Sequence, residues 1–490
     1  MSINQLFRTI ILGIIVTLIL GSCQRNPVTG KKQLSLMSPK KELAIGKEAN
    51  PQILAQFGVY NDDKLQAFIT KKGNKMASIS HMPKLNFHFK VVDSDVVNAF
   101  AVPGGYVYFT RGIMAYFNNE AQFAGVLGHE IGHITHRHSA QSQTKQILTQ
   151  VGFMGGMILS PAFRGMAQQA SQGMQLLLLK YSRTHESQSD VLGVEYSSKI
   201  GYDAHQMAGF FETLARLSTG PDGKRIPEFM STHPDPGKRH STVNQLADKW
   251  QSSNSTEGLK INRNSYLRMI DGIIYGPDPR QGYEEQNIFY HPELKFQFPI
   301  PTGWTLQNTP NAVQIGPKDG SALITFTVSK DADFQTVTNE FVTKYKFQVT
   351  SQQNITVNGL SAYKVISKLP QKDPKTGEEK SLTVQTVLIK YNNSMYIFHG
   401  LCNPDQFSAK RTDFGNTMLN FRALTNAKKI NVKPERIKIV ETTNTAKTLQ
   451  QAFVSQRVPA SRYKELAILN GMKLTDMLPK GTLFKIVKKL

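Results

Sequence analysis

The stretch that most restricts what this chain can become is His129-Glu130-Ile131-Gly132-His133, because it demands a helix with one polar, chemically active face. Phe117, Phe123, Val126 and Leu127 recur at helical spacing just ahead of it. Residues four apart share a helix face, so the two imidazoles converge on one point and Glu130 stands beside that point. Two imidazoles do not complete a catalytic zinc site, which takes three protein ligands and keeps a fourth position for water. One known solution needs Gly three residues after the second His and a third His three later; those positions hold His136 and Ser139. That pattern fails. The other solution takes a Glu from a later helix with an Asp one turn beyond it. Glu186-Ser187-Gln188-Ser189-Asp190 supplies both, ahead of a helical run over 191–200. The expected arrangement is one Zn2+ per subunit with His129, His133 and Glu186 as its three protein ligands. Asp190 is expected to accept the free ring N–H of a ligand histidine, fixing its tautomer and raising its basicity.

Four further histidines compete for a place. His136 lies seven residues after His129, a turn further along the same face, and is expected at the surface or behind the ligands. His138 is expected on the opposite side of the helix in a structural role, and His185 should face away if Glu186 faces in. His233, in Ser231-Thr232-His233-Pro234, reads by itself as an ordinary loop histidine.

Charge and the N-terminus narrow the setting. With 58 basic and 36 acidic residues the chain carries +22, which favours anionic partners. A mean hydropathy of −0.32 and the lack of repeated long apolar spans exclude a polytopic membrane protein. The two cysteines, Cys23 and Cys402, cannot build a disulfide framework. Residues 10–20 form one short apolar core followed by Gly21-Ser22-Cys23, the layout of a secretory signal. It also resembles a bacterial lipobox, which implies a signal peptide over 1–22 and acylation of Cys23. In bacterial lipoproteins a residue other than Asp after the cysteine, here Gln24, implies sorting to the periplasmic face of the outer membrane. Export argues against a nucleic-acid partner, and no finger, RNP or P-loop pattern supports one. Cys402 then stands alone and is expected as a small core hydrophobe.

The chain reads as multidomain α+β. Residues 23–265 are mainly helical with a small sheet, in which strands over 96–102 and 106–110 flank Pro103-Gly104-Gly105 and are expected to take a substrate as an added strand. Residues 152–175, rich in Gly, Met, Ser and Gln, are expected to act as a lid. Residues 285–427 form a β-rich α+β domain, with hairpin signals at Asn358-Gly359 and Asn392-Asn393-Ser394 and no catalytic constellation. Residues 434–490 follow a strand–helix–helix–strand order. Over 431–490 there are twelve basic and four acidic residues. This tail looks like a divergent LysM-type module, which implies affinity for peptidoglycan.

Several blocks together fit one family pattern: Asn98-Ala99-Phe100-Ala101, Pro103-Gly104-Gly105, the 129–133 motif, Tyr181-Ser182-Arg183 before Glu186 and Asp190, and Ser231-Thr232-His233-Pro234 with Arg239. Over residues 24–250 the chain is similar to the gluzincin family of zinc metallopeptidases that includes the CAAX prenyl endopeptidases, HtpX and BepA. Cys23 through Pro27-Val28-Thr29-Gly30 looks like the lipoprotein branch. The resemblance implies zinc on His129, His133 and Glu186, Glu130 as base, and His233 as a switchable fourth ligand that restrains activity. It also implies unfolded or misassembled envelope proteins as substrates. A lipid-anchored chaperone or peptidoglycan-binding protein with a repressed or structural metal site is the alternative. The membrane-spanning helices of some members and the helical repeats of BepA have no counterpart in this sequence.

Overall fold

Helix starts in this chain are written by side chains that supply acceptors to otherwise orphaned N–H groups. Ser38, Asp62, Asn119 and Ser182 accept from the backbone amides of Lys41, Leu65, Gln122 and His185, and each opens a helix. The computed structural model describes residues 23–150, 181–218, 229, 232–233, 236–331, 333–372, 379–443 and 447–489. The expected leader, 1–22, and the expected lid, 152–175, lie outside the described residues. The N-terminal region runs β1 (Cys23–Arg25), β2 (Lys32–Leu34), α1 (Pro39–Phe57), α2 (Asp63–Ala77), β3 (His88–Val92), β4 (Ala99–Val102), β5 (Tyr106–Thr110), α3 (Arg111–Tyr116), α4 (Glu120–Thr135), α5 (His138–Gln150), α6 (Arg183–Lys199), α7 (His205–Ser218) and α8 (Pro236–Ser253).

The crossing of α4 and α6 is made by missing side chains. A Cβ on Gly128 would stand 3.1 Å from the Cα of Gly193, and one on Gly193 would stand 3.0 Å from the carbonyl oxygen of Gly125. Backbones this close bring the His129/His133 face of one helix onto the Glu186/Asp190 face of the other. At the head of α4, Glu120 meets the N-terminal partial positive charge and is held by Lys72 at 2.8 Å and Tyr202 at 2.6 Å.

Strand order in the small sheet is β3-β5-β4, with β3 parallel and β4 antiparallel to β5. Tyr106–Thr110 is thus the central strand, so of the anticipated pair Ala99–Val102 alone keeps a sheet edge for an added strand. The second edge of Tyr106–Thr110 is filled by His88–Val92, where Phe89 and Val91 turn inward between exposed His88 and Lys90. The edge strand on the α4 side is β4, which packs on that helix.

The C-terminal region is β-rich. Seven antiparallel strands stand in the order Gln348–Val357, Leu360–Lys372, Glu379–Tyr391, Ser394–Cys402, Ala322–Ser329, Val313–Pro317, Trp304–Asn308. Both anticipated hairpins are present, turning on Asn358-Gly359 and Asn392-Asn393, all four residues at positive φ. Phe298, Phe326 and Phe398 fill one apolar cluster; Phe341, Val365 and Leu388 fill another. Cys402 is buried in the first. Among the described residues no helix is long and apolar enough to cross a membrane.

Glu435–Glu441 pairs antiparallel with Leu483–Lys489, and helices Leu449–Ser455 and Tyr463–Leu469 lie between them. Ile437, Phe453 and Phe484 belong to the same apolar cluster as Phe117, Phe210 and Leu267 of the helical region. A buried cation helps pin the junction. Lys485 is wholly buried, and its Nζ donates to the carbonyls of Ala115 and Phe117 at 2.8 Å each and of Leu469 at 3.0 Å. Burial pushes its pKa well down, yet all three N–H bonds are matched by acceptors. Replacing Lys485 by Met leaves those carbonyls buried without donors. We expect a loss of about 3 kcal/mol in urea titrations.

Candidate metal centre

On α4 the two motif imidazoles meet with their Nε2 atoms 2.9 Å apart. From α6, Glu186 places Oε2 3.6 Å from Nε2 of His129 and Oε1 3.5 Å from Nε2 of His133. His233 joins them, and the ligand atoms of all four residues lie within 4.8 Å of one another. Its Nε2 is also 3.6 Å from Oε1 of Glu130. None of these five residues exceeds 3% exposure.

The chemistry of this donor set fits a divalent metal ion. Oε1 of Glu186, both oxygens of Glu130 and Nε2 of His233 are buried with no hydrogen-bond partner among the described residues, and Oε2 of Glu186 has an ion contact from Arg239. Buried polar atoms are rarely left so, and here they face one another around a common point. Imidazoles with one carboxylate are what zinc takes in catalytic sites. Burial pushes Glu130 up to about 8, and it lifts Glu186 well above the usual carboxylate range. Burial, with the guanidinium of Arg239 adding to it, lowers His129 to about 4, so the imidazole is neutral and has a lone pair to give.

Behind His129 stands Asp190, whose Oδ1 is 3.0 Å from Nδ1. Arg239, from α8, clamps the same carboxylate through Nε at 2.8 Å and Nη2 at 2.5 Å, and its Nη1 is 2.8 Å from Oε2 of Glu186. Phe211 covers the guanidinium face at 4.1 Å. Burial opposes ionisation of Asp190, but Arg239 and the hydrogen bond from His129 outweigh it and hold the carboxyl below its ordinary value. Acceptance by Asp190 puts the proton of His129 on Nδ1 and leaves Nε2 open toward Glu186.

His133 is backed differently, and here the sequence reading is corrected. His138 does not point to the opposite side: its Nδ1 lies 3.0 Å from Nδ1 of His133. The reason is local. Helix α4 stops at Thr135, Arg137 takes a left-handed conformation with φ 59°, and α5 begins at His138, so the helical wheel of α4 no longer applies. Nε2 of His138 lies 3.0 Å from the amide oxygen of Gln188, which only accepts. His138 therefore carries its proton on Nε2 and accepts from Nδ1–H of His133, leaving Nε2 of His133 open toward the cluster. Tyr181 stacks on His133 at 4.0 Å, and His185 stacks on His138 at 4.3 Å. His136 caps α4, and its carbonyl accepts from Asn26. His233 stacks on Phe229 at 4.4 Å and 10°.

Comparison with known proteins adds to this geometry. Residues 63–247 match the model of peptidase family M48. That segment is similar to the M48 metallopeptidases. The chain is 31% identical over 231 residues to a beta-barrel assembly-enhancing protease of Yersinia pestis, covering 46% of this chain and 47% of the relative. The counterpart of Escherichia coli K12 is 31% identical over 234 residues, with 46% and 47% covered. The mitochondrial metalloendopeptidase OMA1 of Arabidopsis thaliana is 28% identical over 189 residues, with 38% and 37% covered. The chain spans about half the length or less of each.

Three residues around the 129–133 motif had no assigned role in the sequence. Tyr181 and Arg239 were visible only as parts of a family pattern, and Gln188 sat unremarked inside Glu186–Asp190. The usable signal was the end of α4: a polar Thr-His-Arg-His run with no apolar residue to continue the helix face. Replacing His138 by Ala removes the acceptor behind His133, and we expect metal affinity to fall about 10–100-fold in competition with a fluorescent chelator. His136→Ala, off the hydrogen-bond chain, should leave it within about twofold.

Proposed function

We propose that the protein is a zinc metalloendopeptidase of the bacterial cell envelope, with misassembled or unfolded envelope proteins as substrates. The observation that carries the reading is the convergence of His129, His133 and Glu186 on one buried point with Glu130 beside it. His129, His133 and Glu186 would hold the ion, and zinc, when bound, supplies Lewis acidity toward water and toward a scissile carbonyl. Asp190 and His138 set the tautomers of the two imidazoles. Glu130, lifted by burial, takes a proton from the attacking water and passes it to the leaving amine. The shared segment with beta-barrel assembly-enhancing proteases supports an envelope protein substrate.

Regulation and placement complete the proposal. His233 restrains the site: in this conformation its Nε2 reaches the ligand cluster and Glu130, the ground a water molecule and substrate must occupy. The sequence signals at 10–20 and Cys23 support export and a lipid anchor facing the periplasm, and the basic closing unit supports contact with peptidoglycan.

Glu130→Gln should lower cleavage of an unfolded protein such as casein about a thousandfold while zinc content stays near one per chain. Retained cleavage would sink the peptidase reading. His233→Ala should raise the initial rate several-fold in the same assay; an unchanged or lower rate would end the restraint by His233.

A further inference from the structure

We propose that the N-terminal hairpin and the turn after it form a docking surface for an anionic membrane. The hairpin pairs Cys23 with Leu34, Gln24 with Gln33 and Arg25 with Lys32. Directly paired residues share a sheet face, and positions two apart along a strand share it too. Arg25, Lys32 and Leu34 therefore occupy one face, and Gln24 and Gln33 the other. The two faces have different fates. Gln24 donates to the carbonyl of Met37 at 3.2 Å and accepts from Arg137, and Gln33 accepts from Asn26 at 3.1 Å. The amide face is spent on the protein, and the face of cations and leucine is left to solvent: Arg25 and Lys32 are exposed and Leu34 is 36% exposed. The neighbourhood continues the theme, with Leu36 in the following turn at 41% exposure, Lys31 exposed in the hairpin loop, and Lys40 and Lys41 exposed in the first turn of α1.

No acidic residue lies between 23 and 41 to neutralise these five cations. The first acid reached, Glu42, is buried against Arg137 at 2.9 Å. Scattered exposed leucines need no explanation, but leucines set among exposed cations that have no ion pair among the described residues match the two parts of a lipid surface. Cations sit at phosphate headgroups while short apolar side chains enter the interface below them. The surface also adjoins, in sequence, the apolar run 10–20 and Cys23. The inference deepens the reading of a membrane-anchored enzyme and rests on it for which partner is near, though it uses no atom of Cys23.

Docking here reaches the metal centre. Asn26 donates to the carbonyl of His136 at 3.1 Å, and Arg137 donates to the carbonyl of Met37 at 2.8 Å, both at the corner where α4 ends. A bilayer bound to the hairpin is thereby held at a fixed attitude to the helix carrying His129 and His133, with no free tether between.

The test uses the full chain carrying Cys23→Ser, sedimented with vesicles of phosphatidylcholine alone or with 30% phosphatidylglycerol. Partition should be at least tenfold stronger on the anionic vesicles at 0.1 M salt and lose that margin at 0.5 M. Arg25→Glu with Lys32→Glu, and separately Leu34→Ser with Leu36→Ser, should each cut the anionic partition at least fivefold. Lys464→Glu with Lys473→Glu, equally exposed in the closing unit, should leave it unchanged. Equal loss from that control pair, or no loss from either hairpin pair, overturns the proposal. Mass spectrometry of Cys23 in the unsubstituted chain reads acylation separately, so the anchor and the docking surface fail or stand independently.

Discussion

Everything in the metal centre depends on two helices being allowed to touch backbone to backbone. Gly128 and Gly193 remove the side chains that would hold α4 and α6 apart, and the polar faces that meet across the seam carry three buried carboxylates, Glu130, Glu186 and Asp190. Within the cluster the balancing cation is the guanidinium of Arg239, since burial keeps the imidazoles of His129, His133 and His233 neutral. One positive charge against three ionisable acids leaves an imbalance that a low-dielectric interior tolerates poorly. A divalent ion is the natural counterweight. Burial pushes Glu130 and Glu186 toward protonation, while Asp190, clasped twice by Arg239, is held ionised.

The two ligand imidazoles are oriented by unlike partners. A carboxylate behind His129 transfers charge toward the ring and raises its donor strength; a neutral imidazole behind His133, itself fixed by an amide, sets direction without adding charge. The site thus has one electron-rich and one ordinary nitrogen ligand. Stacking by Tyr181 on His133 and by Phe229 on His233 locks the ring planes on either side.

What the sequence disclosed and what it concealed divide along contact range. The face shared by His129 and His133, that shared by Glu186 and Asp190, and the turns at Asn358-Gly359 and Asn392-Asn393 follow from local periodicity and backbone preference. His138 was misjudged because its position depends on a single left-handed residue, Arg137, that ends one helix and starts another. The place of Tyr106–Thr110 at the centre of its sheet was not foreseen, because its parallel neighbour, His88–Val92, arrives through sheet geometry that no local pattern announces. Lys485 carried no signal at all: on a strand in a basic tail it reads as solvent-facing, and only the tertiary fold supplies three carbonyls for it.

That lysine ties together parts of the polypeptide that are made at very different times. Its partner Ala115 precedes it by 370 residues, and the carbonyls it satisfies end the short helix that leads into α4. During synthesis the segment that carries His129, His133 and Glu186 is made early, with those acceptors still unmet. The late arrival of Lys485 closes the junction.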